Sequence, residues 1–327
     1  MVNMNKVLVT GGSGFIGTNV VSRLLDMKYH VLNIDIKPPI KSEHLFCYKY
    51  IDMKSFSQLR EAIADFEPNM ILHLAARTDL NGKKLSDYED NIIPVENLCK
   101  IITNSPFVNR VIFTSSMLVC RAGYIPADSE DYCPTTVYGE SKVETENIVK
   151  KYKNLLPSFC IVRPTSIWGP WFKEPYRDFF DMVLAGRFFR IGKPSCTKTY
   201  GYVGNTVNQI ISLLSFKEEK SNDNVYYLGD SPPNNIDDWS VKISELAEKR
   251  KPIILPFFLL KVAALIGDLL ISVGVKFPLS SFRLKNMTTN NVLDCTKVIS
   301  CNKWEPIPLE HGIKATLNWM KEYKVMK

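Results

Sequence analysis

Thr10-Gly11-Gly12-Ser13-Gly14-Phe15-Ile16-Gly17 is the stretch whose reading decides the fold. It follows a short apolar run, Lys6-Val7-Leu8-Val9-Thr10, that reads as a buried strand. It opens into Phe15 to Met27, where apolar positions recur at helical spacing. A strand, a glycine turn and a helix in that order make a nucleotide pocket. Gly12, Gly14 and Gly17 satisfy G-x-G-x-x-G, and Gly11, Gly14 and Gly17 satisfy the related G-x-x-G-x-x-G. The first glycines permit positive φ in a tight turn, the middle one lets backbone approach a pyrophosphate, and Gly17 lets the helix pack on the strand. The pyrophosphate is expected at the positive helix end, on the free N–H groups of Phe15, Ile16 and Gly17.

Taken alone, such a glycine run reads equally well as a flexible turn, and its context decides. A second strand, His30-Val31-Leu32-Asn33-Ile34-Asp35, ends in a carboxylate eighteen residues beyond Gly17, where an acid holds the adenosine ribose hydroxyls. Asp35 therefore points to NAD. It would repel a 2′-phosphate, although Lys37 and Lys41 nearby leave NADP open.

At 327 residues, 45% apolar and 23% charged, the chain has the composition of a soluble globular protein with one large α/β core or one core and a smaller companion. The net charge of +7 comes without a dense basic tract interleaved with aromatics, so no nucleic-acid partner is expected. Eight scattered cysteines without C-x-x-C pairs read as reduced thiols in a cytoplasmic setting, and Met1 to Asn5 is too short and too polar for a signal peptide. Ile253 to Phe277 is apolar enough to raise the question of a membrane, but Lys261 and Asp268 interrupt it and Pro256 breaks its start. It reads as a packing helix, not an integral span.

Phe46 to Ile51 looks like a third strand closed by Asp52, Ser55 to Phe66 a helix, and Met70-Ile71-Leu72-His73-Leu74-Ala75-Ala76 a fourth strand. Asn91 to Thr103 reads as a helix, and Arg110-Val111-Ile112-Phe113-Thr114 as a strand that delivers Ser115-Ser116-Met117 to its carboxyl end. Tyr138 and Lys142, four apart at the start of a long helix, share one face. The strand Phe159 to Arg163 then runs into Pro164 and Trp168-Gly169-Pro170. This alternation predicts an α/β fold, a Rossmann-type doubly wound parallel sheet, followed by a smaller mixed C-terminal substrate-binding portion. We place the dinucleotide domain at 1–165 and the substrate portion at 166–327, with segments near 198–230 and 288–300 returning to the first domain.

The glycine stretch, Asp35, His73-Leu74-Ala75-Ala76, Thr114-Ser115-Ser116, Tyr138-x-x-x-Lys142 and Arg163-Pro164 with Trp168-Gly169-Pro170 resemble, in order and spacing, the extended short-chain dehydrogenase/reductases. The similarity spans nearly the whole chain and looks closest to the NAD-dependent nucleotide-sugar epimerase/dehydratase family. It implies that Asp52, Met53, Leu74, Ala75, Ala76 and Pro164 line NAD, that Lys142 bonds the nicotinamide ribose, and that Ser116, Tyr138 and Lys142 are catalytic. It also implies a homodimer through the helices near 91–103 and 135–153.

The chemistry explains the triad. A free tyrosine titrates near pH 10 and is a poor base unless positive charge stabilises its phenolate. Lys142 and an oxidised nicotinamide would supply that charge. Tyr138 can then take a proton from a sugar hydroxyl held in line by Ser116.

Departures from the family narrow the reaction. Met117-Leu118 stands where sugar dehydratases carry an Asp-Glu pair, so dehydration is not expected. No histidine lies between His73 and His311, which removes His-based hydrolysis and most metal sites, and no metal is expected. Val119-Cys120-Arg121 replaces the usual Val-Tyr-Gly; Cys120 reads as packing, with substrate contact left open. Ser166 stands where many relatives carry a substrate-binding Asn, Lys198 replaces an Arg that holds the substrate pyrophosphate, and Asn205 replaces an Asp. Arg283 is a second pyrophosphate candidate. The expected activity is oxidation or reduction of a nucleotide-sugar hydroxyl, at C4, by a 4-epimerase or 4-keto reductase. A 3β-hydroxysteroid-type dehydrogenase and a non-enzymatic NAD-binding redox sensor are the competing readings.

Overall fold

The apolar runs become parallel strands because both of their faces are covered. In a computed structural model that describes residues 5–173, 176–191, 196–216, 225–275, 277 and 279–323, without the side chains of 282, 283 and 286, the strands are β1 (Lys6–Thr10), β2 (His30–Asp35), β3 (Tyr48–Tyr50), β4 (Met70–His73), β5 (Arg110–Thr114), β6 (Ser158–Pro164), β7 (Ser166–Trp168), β8 (Thr197–Lys198), β9 (Tyr200–Tyr202), β10 (Val225–Leu228) and β11 (Asn234–Asn235). The helices are α1 (Phe15–Asp26), α2 (Phe56–Phe66), α3 (Glu89–Ile102), α4 (Val137–Lys151), α5 (Tyr176–Leu184), α6 (Val203–Ser215), α7 (Ile236–Leu246), α8 (Phe257–Ser272), α9 (Ser281–Thr288), α10 (Thr296–Cys301) and α11 (Leu309–Glu322). Seven strands form one parallel sheet in the order β3-β2-β1-β4-β5-β6-β10.

Strand residues alternate between two cores, as a period of two requires. Val7, Val9, Leu72, Ile112 and Val162 point to one face, where α1 contributes Val20, Val21 and Leu24 and α6 contributes Val207, Ile210 and Ile211. Leu8, Ile71, Val111, Phe113 and Ile161 point to the other, against Leu59 of α2, Leu98 of α3 and Val149 of α4.

Two boundaries differ from the sequence reading. The third strand starts at Tyr48, because Ser42–Cys47 winds into a 3-10 turn in which the His44 N–H donates to Lys41 O at 3.0 Å. That turn leaves Phe46 78% exposed, so its apolarity signals no strand. The fourth strand stops at His73, where the chain turns back to the glycine loop. The Leu74 N–H donates to Thr10 O at 3.1 Å and the Ala75 N–H to Thr10 Oγ1 at 3.2 Å.

Beyond β6 the strands shorten. β7 pairs with β9 in parallel, and β8 with β11 antiparallel. An aromatic cluster replaces the aliphatic core there: Trp168 lies 5.7 Å from Phe180, 5.1 Å from Tyr202 and 5.1 Å from Trp239 between ring centroids. Such rings bury large areas from few residues, which suits a portion without a long sheet.

A buried ion pair ties α4 to β6. Arg163 Nη2 lies 2.7 Å from Glu146 Oε2, with both side chains 1% exposed, and Arg163 also donates to Ser129 O at 2.6 Å. Burial works against the guanidinium charge, but Glu146 outweighs it and holds Arg163 above its ordinary range. Removing one partner of such a pair costs about 3–5 kcal/mol, whereas replacing both with apolar side chains of similar volume is often neutral or better. Glu146→Ala should therefore lower the unfolding free energy in urea by about that amount, and Glu146→Leu with Arg163→Met should recover most of it. Equal losses in the single and double variants would refute this account of the pair.

Candidate active site

The site forms at the carboxyl ends of β1, β4, β5 and β6, with its crevice where β1 and β4 sit side by side and their connections leave in opposite directions. The glycine turn closes one wall. Gly11 has φ +70°, and a Cβ there would lie 2.6 Å from Ala75 Cα. A Cβ on Gly17 would strike Gly11 O and reach 2.6 Å from Gly12 Cα. No larger residue fits either position. Gly14 differs: a Cβ there would meet Gly11 O at 3.3 Å and no other atom within 4 Å. Its open side lies at the start of α1, where Gly14 is the N-cap and no side chain caps the helix. The N–H groups of Phe15, Ile16 and Gly17 in this first turn have no intrahelical acceptor, an arrangement that fits a pyrophosphate.

Asp35 reaches back to the same turn. Its Oδ2 accepts the Ser13 N–H at 3.1 Å and its Oδ1 the Lys37 N–H at 3.0 Å, so the carboxylate is fixed beside the loop. Lys41 is engaged elsewhere, 2.8 Å from Glu43 and 3.1 Å from Ser22 Oγ. Asp52 and Met53 follow β3, whose exit is pinned to β2 by the Ile51 N–H on Asp35 O at 3.3 Å. Met53 is buried, and its carbonyl accepts from Asn97 Nδ2 at 3.0 Å. Leu74, Ala75 and Ala76 border the turn from β4, and Pro164 ends β6. Donor set and shape fit a dinucleotide with free ribose hydroxyls.

Ser116 and Tyr138 meet at the end of β5. Thr136 caps α4 through the Gly139 N–H, which reaches its Oγ1 at 3.0 Å. A Cβ on Gly139 would strike Leu118 O, so this glycine lets the helix start press onto the 3-10 turn Met117–Val119 and sets the Tyr138 phenol beside Ser116. Ser116 Oγ also accepts the Leu118 N–H at 3.1 Å. Burial pushes the phenol up to about 12 while Ser116 draws it down and Tyr88 pushes it up. Lys142, 2% exposed, donates its ammonium to Thr114 O at 2.8 Å, and burial pulls it down to about 8. Tyr138 and Lys142 thus share one helix face as expected, but in the protein alone the ammonium rests on the strand end.

Below them, His73 is fully buried and pulled down to about 3 by that burial and by Lys142, so it is neutral. Its Nδ1 lies 2.8 Å from Thr10 Oγ1. His73 Nε2, Thr114 Oγ1 and Ser115 Oγ have no hydrogen-bond partner among the described residues and line one small cavity. Three such groups together suit a buried water.

The sequence reading missed what shapes the wall around Tyr138. Tyr88 is fully buried, 6.0 Å from the Tyr138 ring, with its hydroxyl on Asp79 O at 2.7 Å. Asn91 accepts the Arg77 N–H at 2.7 Å and donates to Ser141 Oγ at 3.1 Å, which fastens the loop after Ala76 to α3 and α4. No local pattern marks either residue, since their roles arise only where separate segments meet.

The substrate candidates lie apart from this cluster in the chain, on or beyond the short strands that follow β6. Ser166 on β7 accepts the Tyr176 hydroxyl at 2.5 Å. Lys198 on β8 is half-buried, which lowers its pKa. Arg283 belongs to α9, and its side chain lies outside the described residues. Asn205 has a structural explanation: it donates to Asp230 Oδ1 at 2.9 Å and exchanges two hydrogen bonds with the Ile307 backbone at 2.7 and 3.0 Å. A carboxylate there would face Asp230, which burial already pushes up to about 6. Cys120 points its thiol to Asp131 O at 3.4 Å, and burial raises its pKa, as befits a packing residue. Among the described residues no group of three or more His, Cys, Asp or Glu could hold a metal.

Comparison with known proteins agrees with this geometry. The chain is 27% identical over 325 residues to N-acetyl-alpha-D-glucosaminyl-diphospho-ditrans,octacis-undecaprenol 4-epimerase of Escherichia coli O157:H7, covering 96% of this chain and 95% of that one. It is 26% identical over 273 residues to 3 beta-hydroxysteroid dehydrogenase/Delta 5-->4-isomerase of Mycobacterium tuberculosis H37Rv, covering 76% and 71%. The fold matches UDP-glucose 4-epimerase of Thermotoga maritima, solved with UDP-glucose, at a TM-score of 0.73 and 21% identity over 98% of this chain and 99% of that one. The model of the NAD dependent epimerase/dehydratase family matches residues 7–229, and the chain belongs to that family of enzymes.

Proposed function

We propose that the protein is an NAD-dependent 4-epimerase acting on a sugar carried by a diphosphate, nucleotide-linked sugars being the first substrates to test. The observation that carries this reading is the buried Tyr138 phenol set beside Ser116, which draws its pKa down, at the crevice beside the glycine turn. The *Escherichia* relative, similar along almost its whole length, supports C4 as the reacting carbon.

The residues divide the work as follows. Gly11, Gly14, Phe15, Ile16 and Gly17 would cradle the pyrophosphate, Asp35 the adenosine ribose, and Asp52, Met53, Leu74, Ala75, Ala76 and Pro164 the remaining walls. Bound NAD would supply a reversible hydride acceptor for the sugar carbon. Ser116 would orient the C4 hydroxyl toward Tyr138, and Tyr138 would take its proton as the C–H bond breaks, then give it back. Lys142 would leave Thr114 O for the nicotinamide ribose, bringing positive charge toward the phenol and lowering its pKa. Ser166 and Lys198 are the proposed substrate contacts, with Arg283 retained from sequence alone.

A 4-keto reductase would use the same three residues. Incubation with NAD and UDP-glucose or UDP-N-acetylglucosamine separates the two. Interconversion of C4 epimers without net NADH supports the epimerase, and one NADH formed per 4-keto sugar supports the reductase running in reverse. The hydroxysteroid reading has a relative of its own in *Mycobacterium*, and turnover of a 3β-hydroxysteroid with no C4 exchange on any sugar diphosphate would favour it. Nothing in the site supports a non-enzymatic sensor.

We also propose the domain division at 1–165 and 166–327, a cytoplasmic location in keeping with eight cysteines none of which forms a disulfide, and a homodimer through α3 and α4. The two helices pack together and keep Ile92, Ile93 and Val143 half-buried. Light scattering at micromolar concentration should give twice the chain mass; a monomer would refute the dimer.

Two sets of variants test the chemistry. Asp35→Ala should weaken NAD binding in calorimetry and narrow the gap to NADP, since the carboxylate that repels a 2′-phosphate is gone; unchanged affinities would remove Asp35 from the site. Tyr138→Phe should cut turnover about 10²–10⁴-fold with NAD still bound. Lys142→Met should weaken NAD and move the rising limb of the pH–rate profile upward, because the phenolate loses its stabilising cation. Ser116→Ala should lower turnover without moving that limb. Near-normal turnover in Tyr138→Phe would overturn the mechanism.

A further inference from the structure

α8 is apolar on two sides and covered on one. Leu260, Ala264 and Gly267 face inward against Ile191, Leu279 and Leu284. A Cβ on Gly267 would strike Leu279 O, so the inner face is seated tightly. The opposite face is bare. Phe258, Val262, Leu265, Ile266, Leu269 and Val273 are 64%, 53%, 65%, 51%, 67% and 69% exposed. At 100° per residue they fall, with Leu259, in a stripe about 120° wide that no polar residue interrupts. Lys261 and Asp268 project on one flank of it.

The charge around this stripe is one-sided. From Lys249 to Asn290 the sequence carries seven Lys or Arg against a single acid, Asp268. That acid is engaged, since its Oδ1 accepts the Ser281 N–H at 3.0 Å at the start of α9. Lys251 is paired with Glu245 at 2.8 Å, while Lys249, Arg250, Lys261 and Lys285 are exposed. Most of the chain's net +7 therefore sits on the segment that bears the bare apolar face.

An α-helix of sixteen residues is about 24 Å long, short of the ~30 Å of hydrocarbon in a bilayer. Among the described residues no helix is long and apolar enough to cross a membrane. A short helix with an apolar stripe and basic flanks is suited to lie in the plane of an anionic lipid surface. A protein partner would have to supply a complementary acidic rim, whereas anionic headgroups supply it everywhere.

The helix is also coupled to the site. α9, packed under α8, leads into Asn290 and Asn291. Asn290 Oδ1 accepts the Thr197 N–H at 2.9 Å, next to Lys198. Asn291 accepts the Gly123 N–H at 3.0 Å and lies 3.9 Å from Met117 Sδ, next to Ser116.

We propose that α8 is an interfacial helix that docks the enzyme on an anionic bilayer and holds the crevice at the lipid surface, where a sugar diphosphate attached to a membrane lipid would enter. The second half of this proposal rests on the 4-epimerase reading. The docking does not.

The test is co-sedimentation of the full chain with phosphatidylcholine vesicles with and without 30 mol% phosphatidylglycerol, in parallel with turnover measurements. Binding to the anionic vesicles is expected, with Leu265→Asp/Leu269→Asp weakening it on the order of tenfold or more and raised salt weakening it too. Both positions are exposed, so the variant should keep its circular dichroism and its rate on water-soluble UDP-N-acetylglucosamine. On N-acetylglucosaminyl-diphospho-undecaprenol embedded in the same vesicles it should slow on the order of tenfold. No sedimentation of the wild type, or equal sedimentation of the folded variant, overturns the docking. So does a dimer that the variant dissociates without any vesicle binding, because the stripe would then be a contact between copies. Vesicle binding with no turnover of either substrate upholds the docking and defeats the epimerase reading instead.

Discussion

The backbone contact between Gly11 and Ala75 governs the geometry of the site. β1 and β4 lie side by side, and their exits pass so closely that a single Cβ on Gly11 would overlap the Ala75 main chain. Thr10 reinforces the contact by accepting the N–H groups of both Leu74 and Ala75. Because the turn is pinned there, α1 starts at Phe15, just after its N-cap Gly14, with its first N–H groups at the crevice, and Gly17 can lie against the turn's own backbone. The strict choice of glycine at positions 11 and 17 serves protein packing. That at Gly14 keeps open a space the protein does not itself fill.

Much of the first half was legible from sequence because a parallel sheet covered on both faces must write its strands as apolar runs. Lys6–Thr10, His30–Asp35 and Arg110–Thr114 appear at the boundaries read from the residues alone. Phe46 misled because apolarity by itself does not separate a strand from an exposed 3-10 turn. After β6 the strands are two or three residues long apart from β10, too short for any periodicity to show. Their positions depend on an aromatic cluster assembled from distant segments.

The placement of Tyr138 and Lys142 on one helix face was legible by spacing, but its surroundings were not. Four residues apart on a helix fixes that Tyr138 and Lys142 share a face; it does not say which atom the ammonium touches. That Glu146 neutralises Arg163, that Asn91 staples three segments, and that Asn205 avoids a second carboxylate beside Asp230 all depend on contacts between positions far apart in the chain. Asn205 is instructive, since its departure from the family pattern is accounted for by a neighbouring acid.

Burial acts on Tyr138 and Lys142 in a consistent direction: it raises the phenol to about 12 and lowers the ammonium to about 8, disfavouring charge on each. A phenolate in this pocket therefore needs positive charge brought to it, and the Lys142 ammonium is held by Thr114 O. Ser116 alone draws the phenol down, which leaves Tyr138 a resting acid. On the proposed mechanism, an arrangement that withholds the base until cofactor and lysine are both in place would tie proton transfer to occupancy of the dinucleotide site. The same low polarity that makes Tyr138 a weak base at rest strengthens its attraction to any cation that enters.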